Sequence, residues 1–340
     1  MYIGLLVILL FILLLPLTVK KVEDNLEIFL FIMGALAMII SKSITVHFIL
    51  EVLENQFLYM ITAAVLIGGF LFRYVNKHIQ KLVGYILIHI PLKLFIFIMI
   101  IFIGLVSSMI TAIIAALFLV EIIEMLPVSR VNKIKINIIA CFSIGLGSIL
   151  TPVGEPLSTI IATKLNLDFW YMFIHLGIYI IPTVVVLGLL GSFYGKQYND
   201  PLDDMKLEIE KQSNLDIIFR GVKIFIFIIA LDMLGAGFRP LVDTYIIHLD
   251  SKLLYWINMS SAVLDNATLA AAEISIKMTT EQINSIIIGL LISGGMMIPG
   301  NIPNIISAGK LKIKSSEWMK FGIPLGLSIM VIYYFLLFVI

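Results

Sequence analysis

Residues 145 to 164, GLGSILTPVGEPLSTIIATK, decide how the chain is read, because they place two prolines, three glycines and a carboxylate inside an apolar stretch. Residues 294 to 310, GGMMIPGNIPNIISAGK, repeat the small-residue pair, the Pro-x-x-x-Pro spacing (Pro152 and Pro156 against Pro299 and Pro303) and the closing lysine. Proline lacks a backbone donor and clashes with the preceding turn, so each copy is expected to be two half-helices joined by extended backbone. Within hydrocarbon such backbone is tolerated only where protein buries it or a water-filled cavity solvates it. Paired interruptions in two halves of a chain are therefore a pointer to a transporter's binding site.

Composition supports a membrane setting. The 340 residues are 61% hydrophobic and 13% charged, with a mean hydropathy of +1.10, far more apolar than a soluble globular domain. The net charge of +1 and the lack of a basic cluster interleaved with aromatics give no sign of a nucleic-acid partner. Cys141 has no cysteine to pair with and reads as packing, and the five scattered histidines hold no zinc-peptidase spacing. The first segment, Met1 to Val19, has no basic leader or small-residue cleavage site, and Lys20-Lys21 follow it, so it is expected to be a retained span.

Spans of ~20 apolar residues are expected at 1–19, 26–40, 57–72, 170–193, 222–237 and 321–340, with broken helices at 136–163 and 282–309. Two further stretches, 79–126 and 253–277, fit re-entrant hairpins. The second has arms of roughly 12 residues either side of Asp265-Asn266, reaching ~18 Å, about half-way into a bilayer. The first turns at Ser107-Ser108 and Thr111.

Basic residues test the layout, since they favour the cytoplasmic side. With Lys20-Lys21 inside, most of the 23 basic residues fall inside, and only Lys42, Lys164, Arg239, Lys252 and Lys277 fall outside. Lys93 lies on a hairpin arm. The chain then divides into N-terminal helices (1–56), a first repeat (57–193), a cytoplasmic linker (194–221) and a second repeat of opposite orientation (222–340). Ser108 with Ser260 and Glu121 with Glu273 align at one offset, and the prolines at another. The expected fold is an all-α polytopic membrane protein, an inverted-repeat secondary transporter of the plasma membrane with its central loop in the cytoplasm.

Ser-Ala-Val-Leu-Asp-Asn-Ala-Thr, residues 261 to 268, resembles the Asp-Asn hairpin tip of the ion-transporter superfamily, arsenite permeases and D-type sodium/proton antiporters in particular, and the two proline-glycine breaks resemble the partner motifs of that superfamily. The chain also resembles a small family named only as cation transporters. The resemblance spans roughly residues 104 to 326 and implies alternating access around two tips and two breaks. The first tip, Ser107 to Thr111, departs from the antiporter pattern in lacking a carboxylate.

Ionisable residues inside a membrane are functional candidates by default. Asp265, with Asn266 and Thr268 beside it, offers hard oxygen ligands at a tip, with a helix cap as the plainer alternative that can coexist with it. Glu155 lies in the first break with Thr151, and Asn301 and Asn304 lie in the second, where turn chemistry is the plainer account. Ser107, Ser108 and Thr111 supply hydroxyls at the other tip. Sodium is expected at Asp265, Asn266 and Glu155, while Asp232, Asp265 and Glu155 are the candidate proton carriers. Glu121 and Glu273, farther from the tips, read as gating or interfacial groups. Carboxylates near the mid-plane with no base among them favour a cation, and an oxygen-only ligand set favours a hard one such as sodium.

Sodium/proton antiport is thus the leading expectation, with metalloid efflux and organic-anion transport as alternatives within the superfamily. An intramembrane enzyme is the distant alternative, since no paired-Asp, Ser-Lys or His-based constellation is recognisable. No cofactor is expected beyond the transported ion, and the partners are the bilayer and a small inorganic ion. Oligomeric state, including a homodimer, is left open.

Overall fold

The structure is a computed structural model that describes residues 1–23, 25–54, 58–59, 62–63, 66–67, 70, 85–86, 89–165, 167–196, 214–245, 248–263, 266–274 and 278–339. Among them there is no strand. The expected span at 57–72, the start of the first hairpin and Asp265 itself lie wholly or largely outside the described residues.

The helices are α1 (Tyr2–Thr18), α2 (Lys20–Glu23), α3 (Leu26–Ser41), α4 (Val46–Glu54), α5 (Leu92–Ile110), α6 (Ala112–Met125), α7 (Arg130–Ser148), α8 (Pro156–Lys164), α9 (Tyr171–Ser192), α10 (Asn214–Tyr245), α11 (Ser251–Ile257), α12 (Asn266–Glu273), α13 (Thr280–Gly294), α14 (Ile302–Lys310) and α15 (Ser315–Phe338). Short 3-10 turns occupy Asn258–Ala262 and Ile298–Gly300. Among the described residues three helices, α5, α9 and α15, are long and apolar enough to cross a membrane. Their outward faces expose Phe102, Ile178, Val186 and Ile332, side chains suited to hydrocarbon contact.

Both breaks fall where the prolines and glycines put them. α7 stops at Ser148 and α8 starts on Pro156, while α13 stops at Gly294 and α14 carries Pro303 in its first turn. Proline suits a helix start because its missing N–H would be unpaired there anyway. A lone proline does not suffice to break a helix here, since α9 continues through Pro182, α10 through Pro240 and α15 through Pro324. Ser129 caps α7, and Thr279 forms a reciprocal capping box with Gln282 at the start of α13.

Two elements differ from the spans read off the sequence. α10 has 32 residues and begins at Asn214, inside the stretch expected to be linker. α5 has 19 residues, a length of ~28 Å, so the first arm before Thr111 is longer than a half-depth arm. α4 was not anticipated.

The packing has a matched pattern. α5 lies on α7 as α11 lies on α13, and α7 packs on α9 as α13 packs on α15. Across the halves, α6 packs on α14 and α12 packs on α8. α6 therefore rests on the segment that follows the second break, and α12 on the segment that follows the first. α7 and α13 meet at the centre, and α10 bridges α3 to α12.

Glycine permits the closest crossings. A Cβ on Gly147 would run into the carbonyl of Gly104, and one on Gly300 would lie 2.5 Å from the carbonyl oxygen of Ser261. Each glycine thus lets a hairpin approach the break of its own half.

Candidate functional site

The first tip and the first break are knitted together. α5 and α6 meet at Thr111, whose φ of 75° is unusual for a β-branched residue. Three contacts hold it: the Ala112 N–H donates to the Gly154 carbonyl (2.8 Å), the Thr151 hydroxyl donates to the Ser108 carbonyl (2.5 Å), and Thr111 Oγ1 accepts from the Ile114 N–H. The hydroxyls of Ser107 and Ser108 turn back onto their own helix, to the carbonyls of Gly104 and Leu105. Ser107 also reaches the Ile144 carbonyl at 3.2 Å.

Glu155 immediately precedes α8 and is buried, a position where the helix N-terminus favours a carboxylate. Its backbone carbonyl accepts from Ser158 Oγ at 2.7 Å, and the Thr159 hydroxyl donates to the Pro152 carbonyl at 2.5 Å.

The second break is closed by side chains. Asn304 Nδ2 donates to the carbonyls of Gly294 (2.8 Å) and Met297 (2.9 Å). Trp318 Nε1 donates to the Gly295 carbonyl at 3.1 Å. The Ser293 hydroxyl donates to the Asn258 carbonyl at 2.7 Å, joining α13 to the second hairpin. The breaks free backbone carbonyls, yet those of Pro152, Gly154, Gly294, Gly295 and Met297 are all satisfied by protein donors. An unmet buried carbonyl costs ~1–3 kcal/mol, so donors close in on it.

What remains open is side-chain oxygen. Among the described residues, Asn137 Oδ1, Asn258 Oδ1, Asn304 Oδ1 and Glu273 Oε2 are buried without a hydrogen-bond partner. They sit on α7, the 3-10 turn after α11, α14 and α12 respectively. Donors, by contrast, are largely used; Asn266 Nδ2 is the buried exception.

The two breaks also touch each other. Asn137 Nδ2 donates to Ser307 Oγ at 3.1 Å, and Cys141 Sγ lies 3.3 Å from the same hydroxyl. A Cβ on Gly145 would lie 2.9 Å from Asn301 Nδ2. Residues 137, 141 and 145 are spaced by four, so one face of α7 meets α14 through small and polar groups.

Of the residues singled out from sequence, Ser107, Ser108, Thr111 and Thr151 therefore come together around the first break. Asn301 and Asn304 stand at the start of α14, against α7. Asn266 and Thr268 lie in the first turn of α12, which packs on the α8 that Glu155 precedes. Asp265 lies outside the described residues. Asp232 is half-buried on α10, which reaches this centre through its packing on α12.

Sequence reasoning missed four participants. Asn137 and Ser307 carry no local signal beyond being polar in apolar runs. Asn258 was hidden by the Asp-Asn pair downstream. Lys310 looked like a cytoplasmic loop charge, but its Nζ lies 2.7 Å from Glu121 Oε1, with side-chain exposures of 6% and 8%. This buried pair joins α14 to α6, and Glu124 and Lys133 add to its electrostatic surroundings. No three His, Cys, Asp or Glu side chains cluster as a metal centre among the described residues.

No curated protein matches the chain. The sequence model of the family described as "Protein of unknown function (DUF1646)" matches residues 2–340, and the chain belongs to that family.

Proposed function

We propose that the protein is a secondary active transporter of inorganic cations, working as a sodium/proton antiporter by alternating access. In this reading the two halves are inverted repeats, the hairpins are re-entrant, and the tips and breaks of both halves enclose one ion path. The reciprocal packing carries the proposal: α6 rests on α14 and α12 rests on α8. Such an exchange gives each half a surface on which the other can tilt, as alternating access requires.

Chemistry favours a cation. Among the described residues, buried side-chain atoms without a hydrogen-bond partner are mostly acceptor oxygens, and Glu155 lies at the first break. Asp265 completes the ligand set in this proposal, with Asn266 and Thr268 following it.

Reconstituted vesicles test it. Addition of sodium should dissipate an imposed pH gradient, with lithium, potassium, arsenite and a dicarboxylate as comparison solutes. A carboxylate that holds either proton or cation makes the two compete, so apparent sodium affinity should weaken as pH falls and level off at high pH. Affinity independent of pH from about 5.5 to 9 with transport intact replaces antiport by uniport or symport. Movement of arsenite or dicarboxylate without sodium dependence replaces the cation.

A further inference from the structure

The two halves treat corresponding carboxylates differently. Glu121 on α6 and Glu273 on α12 occupy matching places on their hairpins, at the same sequence offset as Ser108 and Ser260. Glu121 is answered by Lys310 at 2.7 Å. Glu273 is 2% exposed and has no ion pair among the described residues. Among the described residues its carboxylate accepts a hydrogen bond from the neutral side chain of Asn258, and Glu273 Oε2 has no partner.

Asn258 is fully buried, gives Nδ2 to the Leu254 carbonyl at 2.9 Å, and keeps Oδ1 without a partner among the described residues. At the equivalent offset the first half has Val106. The amide therefore appears only in the half whose carboxylate lacks the buried lysine.

The two hydrogen-bonded side chains each keep an acceptor oxygen without a donor among the described residues, and a buried charged acceptor of this kind calls for a ligand that brings positive charge or a hydrogen. A hard cation needs about six oxygens, more than this pair supplies. A proton needs one. Passed from hydronium to Oε2, it breaks one O–H bond in that donor and forms one on the carboxyl, leaving a water, removing the buried charge and turning an acceptor into a donor.

We propose that Glu273, held in place by Asn258, is a proton-binding site distinct from the cation ligands at the hairpin tip. Resting on the antiport reading, it is the group that carries the exchanged proton, in place of Asp232. The charged groups on elements packed against α12 are Asp216, Arg220, Lys223, Asp232, Arg239 and Asp243 along α10, Lys164 at the end of α8 and Glu281 at the start of α13. Lys223 is engaged by Glu27 at 2.7 Å.

The test uses the full-length protein with sodium as the probe. Two fluxes are measured in proteoliposomes, sodium-driven proton movement and sodium/sodium exchange, and pH-difference infrared spectra are recorded on purified protein. Glu273→Gln should lower the ratio of proton movement to exchange by about tenfold or more and remove a protonated-carboxyl band seen in the wild type. Glu273→Asp should restore part of both, and Lys164→Gln should change neither.

An unaltered flux ratio in Glu273→Gln, or an infrared band that survives it, overturns the assignment. So does an equal loss in Lys164→Gln, which would make Glu273 half of an ion pair. Wild-type vesicles that move no sodium while the band still depends on Glu273 refute the transport reading and leave the proton site standing. Normal sodium/proton exchange without the band does the reverse.

Discussion

Replacing Lys310 by methionine removes one side of the buried bridge between α14 and α6, and the cost follows from its geometry. The pair is 2.7 Å apart and both side chains are more than nine-tenths buried, so the Glu121 charge is left without water or a counter-ion. Breaking such a pair from one side costs about 3–5 kcal/mol. Glu121→Gln should cost less than Lys310→Met, because Glu124 also acts on Lys310 and leaves the lysine a second carboxylate. Replacing both, as Glu121→Leu with Lys310→Met, removes both desolvation penalties and should return stability to within about 1 kcal/mol of the wild type. With Glu121→Leu alone closing the cycle, the coupling energy is expected to be at least about 3 kcal/mol. Thermal unfolding in detergent can be followed by fluorescence from Trp318, which is fully buried against α13. At roughly 2 °C per kcal/mol for a chain of this size, Lys310→Met should lower Tm by roughly 6–10 °C. A loss below about 2 °C, or a double variant that merely sums the single losses, refutes the claim that the pair is buried and mutually compensating.

Two further substitutions separate packing from chemistry. Gly147→Ala should destabilise by about 1–3 kcal/mol in the same unfolding assay, because its Cβ would meet the Gly104 carbonyl. Gly309→Ala, whose Cβ would have nothing within 4 Å, should be neutral or stabilising by up to about 1 kcal/mol; equal effects would mean that the α5–α7 approach is looser than described. Asp265→Asn should leave expression and Tm unchanged while abolishing sodium-dependent flux in vesicles, since the amide keeps any capping role and loses the charge. Flux at the wild-type rate would reduce Asp265 to a cap.

Much of the architecture was legible in local sequence. Long apolar runs, doubled Pro-x-x-x-Pro spacing and flanking glycines specify where helices can persist and where they stop, because hydropathy and backbone donors are properties of a few neighbouring residues. The helix ends at Ser148, Pro156, Gly294 and Ile302 follow from that alone. Partner choice does not. Lys310 finds Glu121 across 189 residues, and nothing near either residue distinguishes this pair from a loop lysine and a gating glutamate. The carbonyls freed by the breaks looked available for an ion, yet Asn304, Trp318, Thr159 and the Ala112 amide occupy them. Buried acceptors recruit whichever donor the tertiary packing brings within about 3 Å. The contrast between Glu121 and Glu273 is likewise invisible in two similar segments. It arises because the packing of α14 on α6 brings Lys310 to Glu121, whereas the recorded partner of Glu273 is the neutral Asn258. Local physics determined where the chain could break, and three-dimensional packing decided which buried charges were answered.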